Sequence, residues 1–300
     1  MIYVGIDLHK NYSYIMEMDE EGKVLYEFKV ENDPERLGYY ALSLIPGETK
    51  IAVEATYNWY YLIELLENFH LDVMLVHPLK TRATASARIM TDRISSKILA
   101  DLLRVNLLPP AYIPSRRMRD MREILRHRAF LVSMRAKLKC KVRVILDKNG
   151  IKWDYSDIFG KRSLRELRYL DLRYAYKLGL RHYIRLGRLL NELIGEVTEE
   201  IEAMAGEDED ARLLITIPGI GYYSALLIVS EIGDIRRFPS ARHLCSYAGL
   251  VPSVHASGGR VRYGRLTKEG SRWLRWVLVE SAIHAVRGSR RFKELYERVK

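Results

Sequence analysis

Two acidic residues near the start of the chain each follow a short apolar segment. Asp7 ends the alternating sequence of residues 2–7, and Glu54 ends the apolar run of residues 51–54. Because ligands gather at the carboxyl ends of parallel strands in an open sheet, both carboxylates are expected at one edge. Neighbouring carboxylates repel each other unless a cation neutralises them, and their hard oxygen atoms suit Mg²⁺ or Mn²⁺. The pair indicates metal-assisted phosphoryl transfer, and a turn or helix cap is the alternative interpretation.

A third acid, Asp92, lies at the start of a predicted helix. Its carboxylate could cap this helix or join the other two acids at a metal site, and the pattern leaves both roles open. The apolar stripe that predicts the helix consists of Ile94, Ile98, Leu99, Leu102 and Leu103.

The elements around these acids predict an α/β fold. Alternating residues indicate a meander of three strands, and Asp33 with Pro34 begins the helix that follows them. A strand, a helix and a further strand come next, which is the order of a ribonuclease-H-like sheet. The predicted strands cover residues 2–7, 12–18, 23–30, 51–54 and 71–76, and the predicted helices cover residues 34–43 and 57–69.

Charge divides the chain into two parts. The sequence has 49 Lys and Arg residues against 38 Asp and Glu residues, a net charge of +11. Residues 1–110 hold 11 basic and 16 acidic side chains, whereas residues 111–300 hold 38 basic and 22 acidic ones. Such an excess is typical of a surface that binds a polyanion such as nucleic acid, although a solvated basic surface also explains it.

Two long amphipathic helices are predicted in the middle of the chain. Residues 116–148 contain 12 basic and 3 acidic side chains, a density that favours contact with the nucleic-acid backbone. Residues 164–204 carry a second apolar stripe. Such a pair forms an intramolecular hairpin or a dimerising coiled coil, and the pattern alone does not decide between them. The arginines predicted to contact nucleic acid are Arg116, Arg117, Arg122 and Arg126.

The last segment holds further candidates for nucleic-acid chemistry. Gly219 and Gly221 belong to a Pro-Gly-Ile-Gly turn before a predicted helix, where backbone N–H groups can bind phosphate as in helix–hairpin–helix proteins. Ser257 precedes two glycines in a flexible loop, where its hydroxyl could attack phosphorus. A turn without a ligand and an ordinary loop are the alternatives. The cations that could stabilise the transition state are Arg260, Arg262, Arg265 and Lys268.

Other features exclude several classes of protein. No segment approaches the ~20 apolar residues of a transmembrane helix, and the first residues lack the pattern of a signal peptide. Cys140 and Cys245 are far apart and are not spaced as metal ligands. We expect a cytoplasmic protein without a disulfide framework, a zinc finger or a membrane partner.

Several motifs together resemble the DEDD transposases of insertion sequences, of the insertion-sequence-110/1111 type, also called bridge recombinases. Near the start, the motifs are GIDLHK at 5–10, VEAT at 53–56, TDRI at 91–94 and KILADLL at 97–103. Near the end they are IPGIG, FPSARHLCSYAGLVP, SGG and KEGSRWLRWVL. The resemblance implies a RuvC-like first domain and a mainly α-helical C-terminal domain.

The sequence departs from this family at one position. The resemblance implies four acids, which are Asp7, Glu54, Asp92 and an Asp three residues after Asp92, but Ser95 occupies that last position. Asp101 is not a replacement, since it lies about 180° round the helix from Asp92. Three interpretations remain: a weakened natural protein, a deliberately inactivated one, or a site that works with three acids.

The resemblance also implies a reaction and its partners. The protein would cut and rejoin DNA, with Mg²⁺ or Mn²⁺ at the acids and Ser257 as the nucleophile. It would act as a homodimer or homotetramer in the prokaryotic cytoplasm, and a structured bridge RNA would pair with donor and target DNA.

Three domains are expected. They are a RuvC-like domain over 1–112, a helical coiled-coil segment over 113–206 for dimerisation and nucleic-acid binding, and a transposase domain with a helix–hairpin–helix-like motif over 207–300. The acidic, polar residues 206–210 are expected to form a linker. Two rival functions are a RuvC-like junction nuclease without a covalent intermediate and a catalytically impaired nucleic-acid-binding relative.

Overall fold

Three antiparallel strands open the first unit of the chain, and two further strands complete its sheet. Their order across the sheet is β3-β2-β1-β4-β5, with β4 parallel to both β1 and β5. The ribonuclease-H-like order predicted from the sequence is thus confirmed. In the computed structural model, which describes residues 1–78, 81 and 91–300, the strands are β1 (Ile2–Leu8), β2 (Tyr12–Met18), β3 (Val24–Glu31), β4 (Thr49–Glu54) and β5 (Asp72–Val76).

Helices cover both faces of this sheet. Helices α1 (Pro34–Ser43) and α2 (Trp59–Asn68) share a core with one set of alternating strand residues, which includes Ile6 and Val53. Helix α3 (Asp92–Arg104) packs on the other set, which includes Ala52. Because successive strand residues point to opposite faces, the central strands are buried on both sides.

The chain divides into the units Met1–Ile113 and Pro114–Lys300. The second unit is mainly helical. Its elements are α4 (Arg116–Lys148), α5 (Lys161–Leu167), α6 (Tyr174–Glu207), α7 (Glu209–Ile215), α8 (Tyr222–Ile232), a short 3₁₀ helix (Ile235–Arg237), α9 (Ala241–Tyr247), β6 (Pro252–Ser257), β7 (Arg260–Leu266), α10 (Arg272–Gly288) and α11 (Arg290–Val299).

Helices α4 and α6 form an antiparallel hairpin within the chain. Leu131 of α4 packs against Leu190 and Ile194 of α6 in the middle of the hairpin. Near one end, Met121 and Leu125 of α4 share a core with Ile201 of α6, together with residues of α8 and α10. The intramolecular hairpin, one of the two arrangements that the sequence left open, is therefore present.

The expected polar linker at residues 206–210 is a tight helix junction instead. Asp208 separates α6 from α7, and its side chain caps α7 by accepting a hydrogen bond from Ala211 N. Asp208 is buried and also pairs with Arg117. The prediction of a linker was wrong because residues on both sides of the junction pack into one core. The division into domains at 206 and 207 stays a prediction.

None of the helices in the described part of the chain is long and apolar enough to cross a bilayer.

Candidate functional site

Asp7 and Glu54 lie side by side at the carboxyl ends of two parallel strands. Strands β1 and β4 pair with Ile6 opposite Val53, so the next residue on each strand is an acid at the same edge of the sheet. Both carboxylates line a cavity of about 320 Å³, together with Asp92 and Ser95. The structure therefore brings together the three acids and the position where the fourth is missing.

Asp92 faces this cavity and does not cap helix α3. The cap is Thr91, whose Oγ1 accepts a hydrogen bond from Ile94 N. Asp92 Oδ2 instead accepts a 2.8 Å hydrogen bond from the Tyr12 hydroxyl on β2. Of the two roles left open by the sequence, the capping role is thus excluded.

His9 is a member of the site that the sequence analysis missed. Its Nε2 atom lies 3.5 Å from Asp7 Oδ2 and 3.2 Å from Asp92 Oδ1. The potential ligand atoms of these three residues all lie within 4.8 Å of one another. The available signal was the position of this histidine two residues after Asp7, where a turn at the end of β1 brings it back to the acids.

The environment of the cavity shifts the pKa values of Asp7 and Asp92 in opposite directions. Burial is the main cause that raises the pKa of Asp7 to about 6; His9 opposes this rise, and Glu54 and Asp92 add to it. The pKa of Asp92 is lowered, chiefly by the hydrogen bond from Tyr12. A divalent cation would relieve both the burial of charge and the repulsion between the carboxylates.

The donor set fits such a cation. Asp7, Glu54 and Asp92 offer hard carboxylate oxygens, and the enclosed His9 Nε2 lies within ion-pair distance of two of them. A cation between the nitrogen and the carboxylates would satisfy all of these groups. Ser95 lines the same cavity as Asp7 and lowers the pKa of that carboxyl slightly, so position 95 faces the site but adds no charge.

Ser257 lies beside the turn of an exposed β-hairpin. Strands β6 and β7 pair with Ser257 opposite Arg260, and the intervening Gly258 and Gly259 have φ angles of +55° and +76°. These angles are those of a type I′ turn. Ser257, Arg260 and Arg262 line one recess of about 550 Å³. The expectation of a flexible loop is therefore wrong. The serine and two arginines lie on paired strands, whereas Arg265 lies further along β7.

Arg122 and Arg126 point into the second unit. Arg122 donates to the Ser230 and Glu231 carbonyls, and Arg126 lies 2.8 Å from the Glu231 carboxylate. Glu231 is only 3% exposed. The prediction that these two arginines contact nucleic acid is corrected, because both guanidinium groups contact Glu231 inside the unit, and its carboxylate offsets one of their two charges.

The other predicted contacts remain on the surface. Arg116 is exposed, and Arg117 is largely exposed although it pairs with Asp208. Gly219 has a φ of +93° and packs so closely on α10 that a Cβ would come within 2.5 Å of Ala285 N. Packing thus requires this glycine, whereas Gly221 lies in open space before α8. Phosphate binding by this turn stays a prediction.

The sheet order and the acids at its edge define the first unit as a RuvC-like domain of the DEDD class, whose acids suit a divalent metal ion. Residues 4–150 match a family model for the transposase of IS110 elements with DEDD acids, and residues 211–297 match the model of the "Transposase IS116/IS110/IS902 family". The chain belongs to this family of transposases, which are enzymes that cleave and rejoin DNA. The family resemblance inferred from the motifs is confirmed.

Individual relatives agree with this assignment. The chain is 26% identical over 288 residues to the transposase for insertion sequence element IS1111A of Coxiella burnetii, an alignment that covers 93% of this chain and 76% of the relative. It is 26% identical over 283 residues to the transposase for IS1328 of Yersinia enterocolitica, covering 93% and 82%. Among solved structures, T. thermophilus RuvC in complex with a Holliday junction substrate matches 37% of this chain and 99% of its own, with 12% identity and a TM-score of 0.28.

Proposed function

We propose that this transposase breaks DNA by attack of Ser257 on a backbone phosphate. The observation that carries the proposal is the position of Ser257 beside the hairpin turn, in a recess shared with Arg260 and Arg262. The hairpin is exposed over almost its whole length, so a DNA strand can reach the hydroxyl and both guanidinium groups.

The reaction is a transesterification. Ser257 Oγ bonds to phosphorus while the bond from phosphorus to one deoxyribose oxygen breaks, and the serine proton ends on that leaving oxygen. Arg260 and Arg262 offset the negative charge that develops on the phosphate oxygens. Attack of a deoxyribose hydroxyl on the phosphoserine reverses the step and rejoins the DNA.

Asp7, Glu54 and Asp92 would hold the metal ion, which is Mg²⁺ or Mn²⁺ in this proposal. When bound, such an ion activates an oxygen nucleophile and stabilises the charge of the transferred phosphoryl group. Ser95 supplies a hydroxyl in place of a carboxylate, so the set has three acids. We expect this set to be active and to bind the ion more weakly than four acids would.

A bridge RNA and a second copy of the chain complete the proposal. Exposed arginines on α4 and β7 suit contacts with a nucleic-acid backbone. The guide RNA itself rests on the family resemblance, and its base pairing would select donor and target DNA. Exposed apolar side chains on the α4–α6 hairpin, such as Phe130, Leu186 and Leu189, support assembly into a homodimer or homotetramer.

The test is the detection of a covalent adduct. The protein is incubated with Mg²⁺, RNA transcribed from the flanks of its element and labelled duplex DNA carrying the element's ends, and it is then run on a denaturing gel. Ser257→Ala, Ser95→Asp and the matched control Ser253→Ala, on the same strand as Ser257, are run beside the wild type. We expect a labelled adduct in the wild type, in Ser253→Ala and more strongly in Ser95→Asp, but none in Ser257→Ala.

Two other outcomes would support the rival functions. DNA cleavage that persists in Ser257→Ala without any adduct indicates a junction nuclease that uses water. Binding of both nucleic acids without cleavage in the wild type, but with cleavage in Ser95→Asp, indicates a binding protein that lost its chemistry at position 95.

A further inference from the structure

The acid site contains one potential metal ligand that is not a carboxylate. Among the described residues that line the cavity, Asp7, Glu54 and Asp92 carry acidic groups, while Ser95 carries none. His9 contributes a ring nitrogen that faces two of these acids. The cavity therefore presents four strong metal donors, of which one is nitrogen.

The distances around His9 are those of neighbouring ligands on one ion. An octahedral ion with bonds of ~2.1 Å places adjacent ligand atoms about 3.0 Å apart. His9 Nε2 lies 3.2 Å from Asp92 Oδ1 and 3.5 Å from Asp7 Oδ2. Both carboxylates lie within ion-pair distance of this enclosed nitrogen. Small movements would bring the three atoms onto a common centre.

The backbone around His9 is fixed by several hydrogen bonds. Its N–H donates to the Tyr12 carbonyl, and its own carbonyl accepts from the Asn32 and Asn58 amides at 2.8 and 3.0 Å. The imidazole also packs on the Tyr12 ring, with centroids 4.7 Å apart. These contacts hold the ring at the site.

Tyr12 links the histidine to the opposite acid. Its hydroxyl donates to Asp92 Oδ2, which leaves Oδ1 as the oxygen that faces His9. The arrangement directs one oxygen of Asp92 and the nitrogen of His9 toward the same point.

We propose that His9 Nε2 is a direct ligand of the metal ion, and that this mixed set of nitrogen and oxygen donors favours Mn²⁺ over Mg²⁺. This inference rests on the proposed metal site of Asp7, Glu54 and Asp92. Imidazole binds first-row transition metals well, whereas Mg²⁺ prefers oxygen ligands in a strict octahedron. His9 thus takes the place of the fourth donor that Ser95 cannot supply.

The test measures metal binding and does not depend on catalysis. Untagged full-length protein is loaded with Mn²⁺ alone, and electron spin-echo spectroscopy detects ¹⁴N bound to the ion, while calorimetry gives Mn²⁺ and Mg²⁺ affinities. We expect ¹⁴N coupling in the wild type and its loss in His9→Ala. The Mn²⁺ affinity of His9→Ala should be at least about tenfold lower than that of the wild type, because even the loss of a group that hydrogen-bonds to a metal ligand lowers metal affinity by about tenfold.

Two variants control this experiment. His9→Asp offers an all-oxygen set, so we expect it to bind metal without ¹⁴N coupling and with a lower ratio of Mn²⁺ to Mg²⁺ affinity than the wild type. His182→Ala, on the exposed surface of α6, is expected to match the wild type.

The outcomes separate the two proposals. Mn²⁺ binding without ¹⁴N coupling in the wild type, at an affinity that His9→Ala leaves unchanged, overturns the role of His9 and leaves the acid site intact. Failure of the wild type to bind Mn²⁺ and Mg²⁺ overturns the proposed metal site itself.

Discussion

Gly5 of β1 lies directly against the backbone of Ser96 in α3, so that a Cβ on Gly5 would stand 2.0 Å from the Ser96 carbonyl oxygen. That distance is far below van der Waals contact. Ser96 is itself buried, and its hydroxyl donates to the Asp92 carbonyl one turn earlier. The end of α3 that carries Asp92 and Ser95 can therefore approach the acid edge of the sheet because position 5 has no side chain.

Gly5→Ala should disturb the metal site without removing a ligand. The methyl group must push α3 away from β1, so we expect a loss of about 1–3 kcal/mol in the free energy of unfolding and weaker Mn²⁺ binding. Urea unfolding and calorimetry measure the two effects. Gly38→Ala in α1, where a Cβ meets no atom within 4 Å, is the control and should be neutral or stabilising. Wild-type Mn²⁺ affinity in Gly5→Ala would contradict this account.

Glu17 makes the stability of the first unit depend on pH. Burial raises the pKa of this carboxyl above its usual range, and the Tyr40 hydroxyl opposes the rise. The folded state therefore keeps its proton to a higher pH than the unfolded state, whose pKa is ~4.3. Between those two pKa values, stability falls as the pH rises, and at neutral pH the charged Glu17 lowers the free energy of unfolding.

Glu17→Gln should consequently stabilise the protein at pH 7, because the amide is neutral and nearly the same size as the carboxylate. The gain should disappear below the pKa of the unfolded state. Urea unfolding at pH 7 and pH 4 checks both statements, and Glu21→Gln in an exposed turn is the matched control. A Glu17→Gln variant less stable than the wild type at pH 7 would refute the prediction.

The sequence predicted the sheet and its acids because local patterns determine them. Alternation fixed the strands, and parallel pairing then placed Asp7 beside Glu54. The β6–β7 hairpin was missed because both strands are exposed and none of their side chains is buried in a hydrophobic core. Its signal was present, since Gly258 and Gly259 separate two runs in which Val254 and Val261 alternate with polar residues.

Long-range charge pairing was not readable from the sequence. Arg122 and Arg126 fit an exposed basic helix, but their partner Glu231 lies more than a hundred residues away in α8. Periodicity reports which face of a helix is apolar and contains no information on such a partner. His9 was missed for a related reason, because only the fold shows that the turn after β1 returns its ring to Asp92.

Glu231 should be essential to the stability of the second unit. Its carboxylate contacts Arg122 and Arg126 and accepts a 2.8 Å hydrogen bond from the Ser271 hydroxyl. Removal of one partner leaves buried positive charge, so we expect Glu231→Gln to lower the free energy of unfolding by about 3–5 kcal/mol. Glu280→Gln on the exposed side of α10 should stay within about 0.5 kcal/mol of the wild type. Equal effects of the two substitutions in urea unfolding would show that Glu231 does not stabilise this core.

Arg260 and Arg262 of the hairpin should contribute to DNA binding through phosphate contacts. If each contacts one phosphate of duplex DNA, replacement of either by Gln should reduce the slope of log affinity against log salt by about 0.9. Titration of labelled duplex DNA at several salt concentrations measures that slope, and the affinity itself should fall most at low salt. Arg122→Gln is the contrasting variant: its guanidinium is enclosed by Ser230 and Glu231, so the folded protein should keep the wild-type slope while its stability drops. An unchanged slope in both hairpin variants would exclude the hairpin from the DNA interface, and with it the surroundings proposed for Ser257.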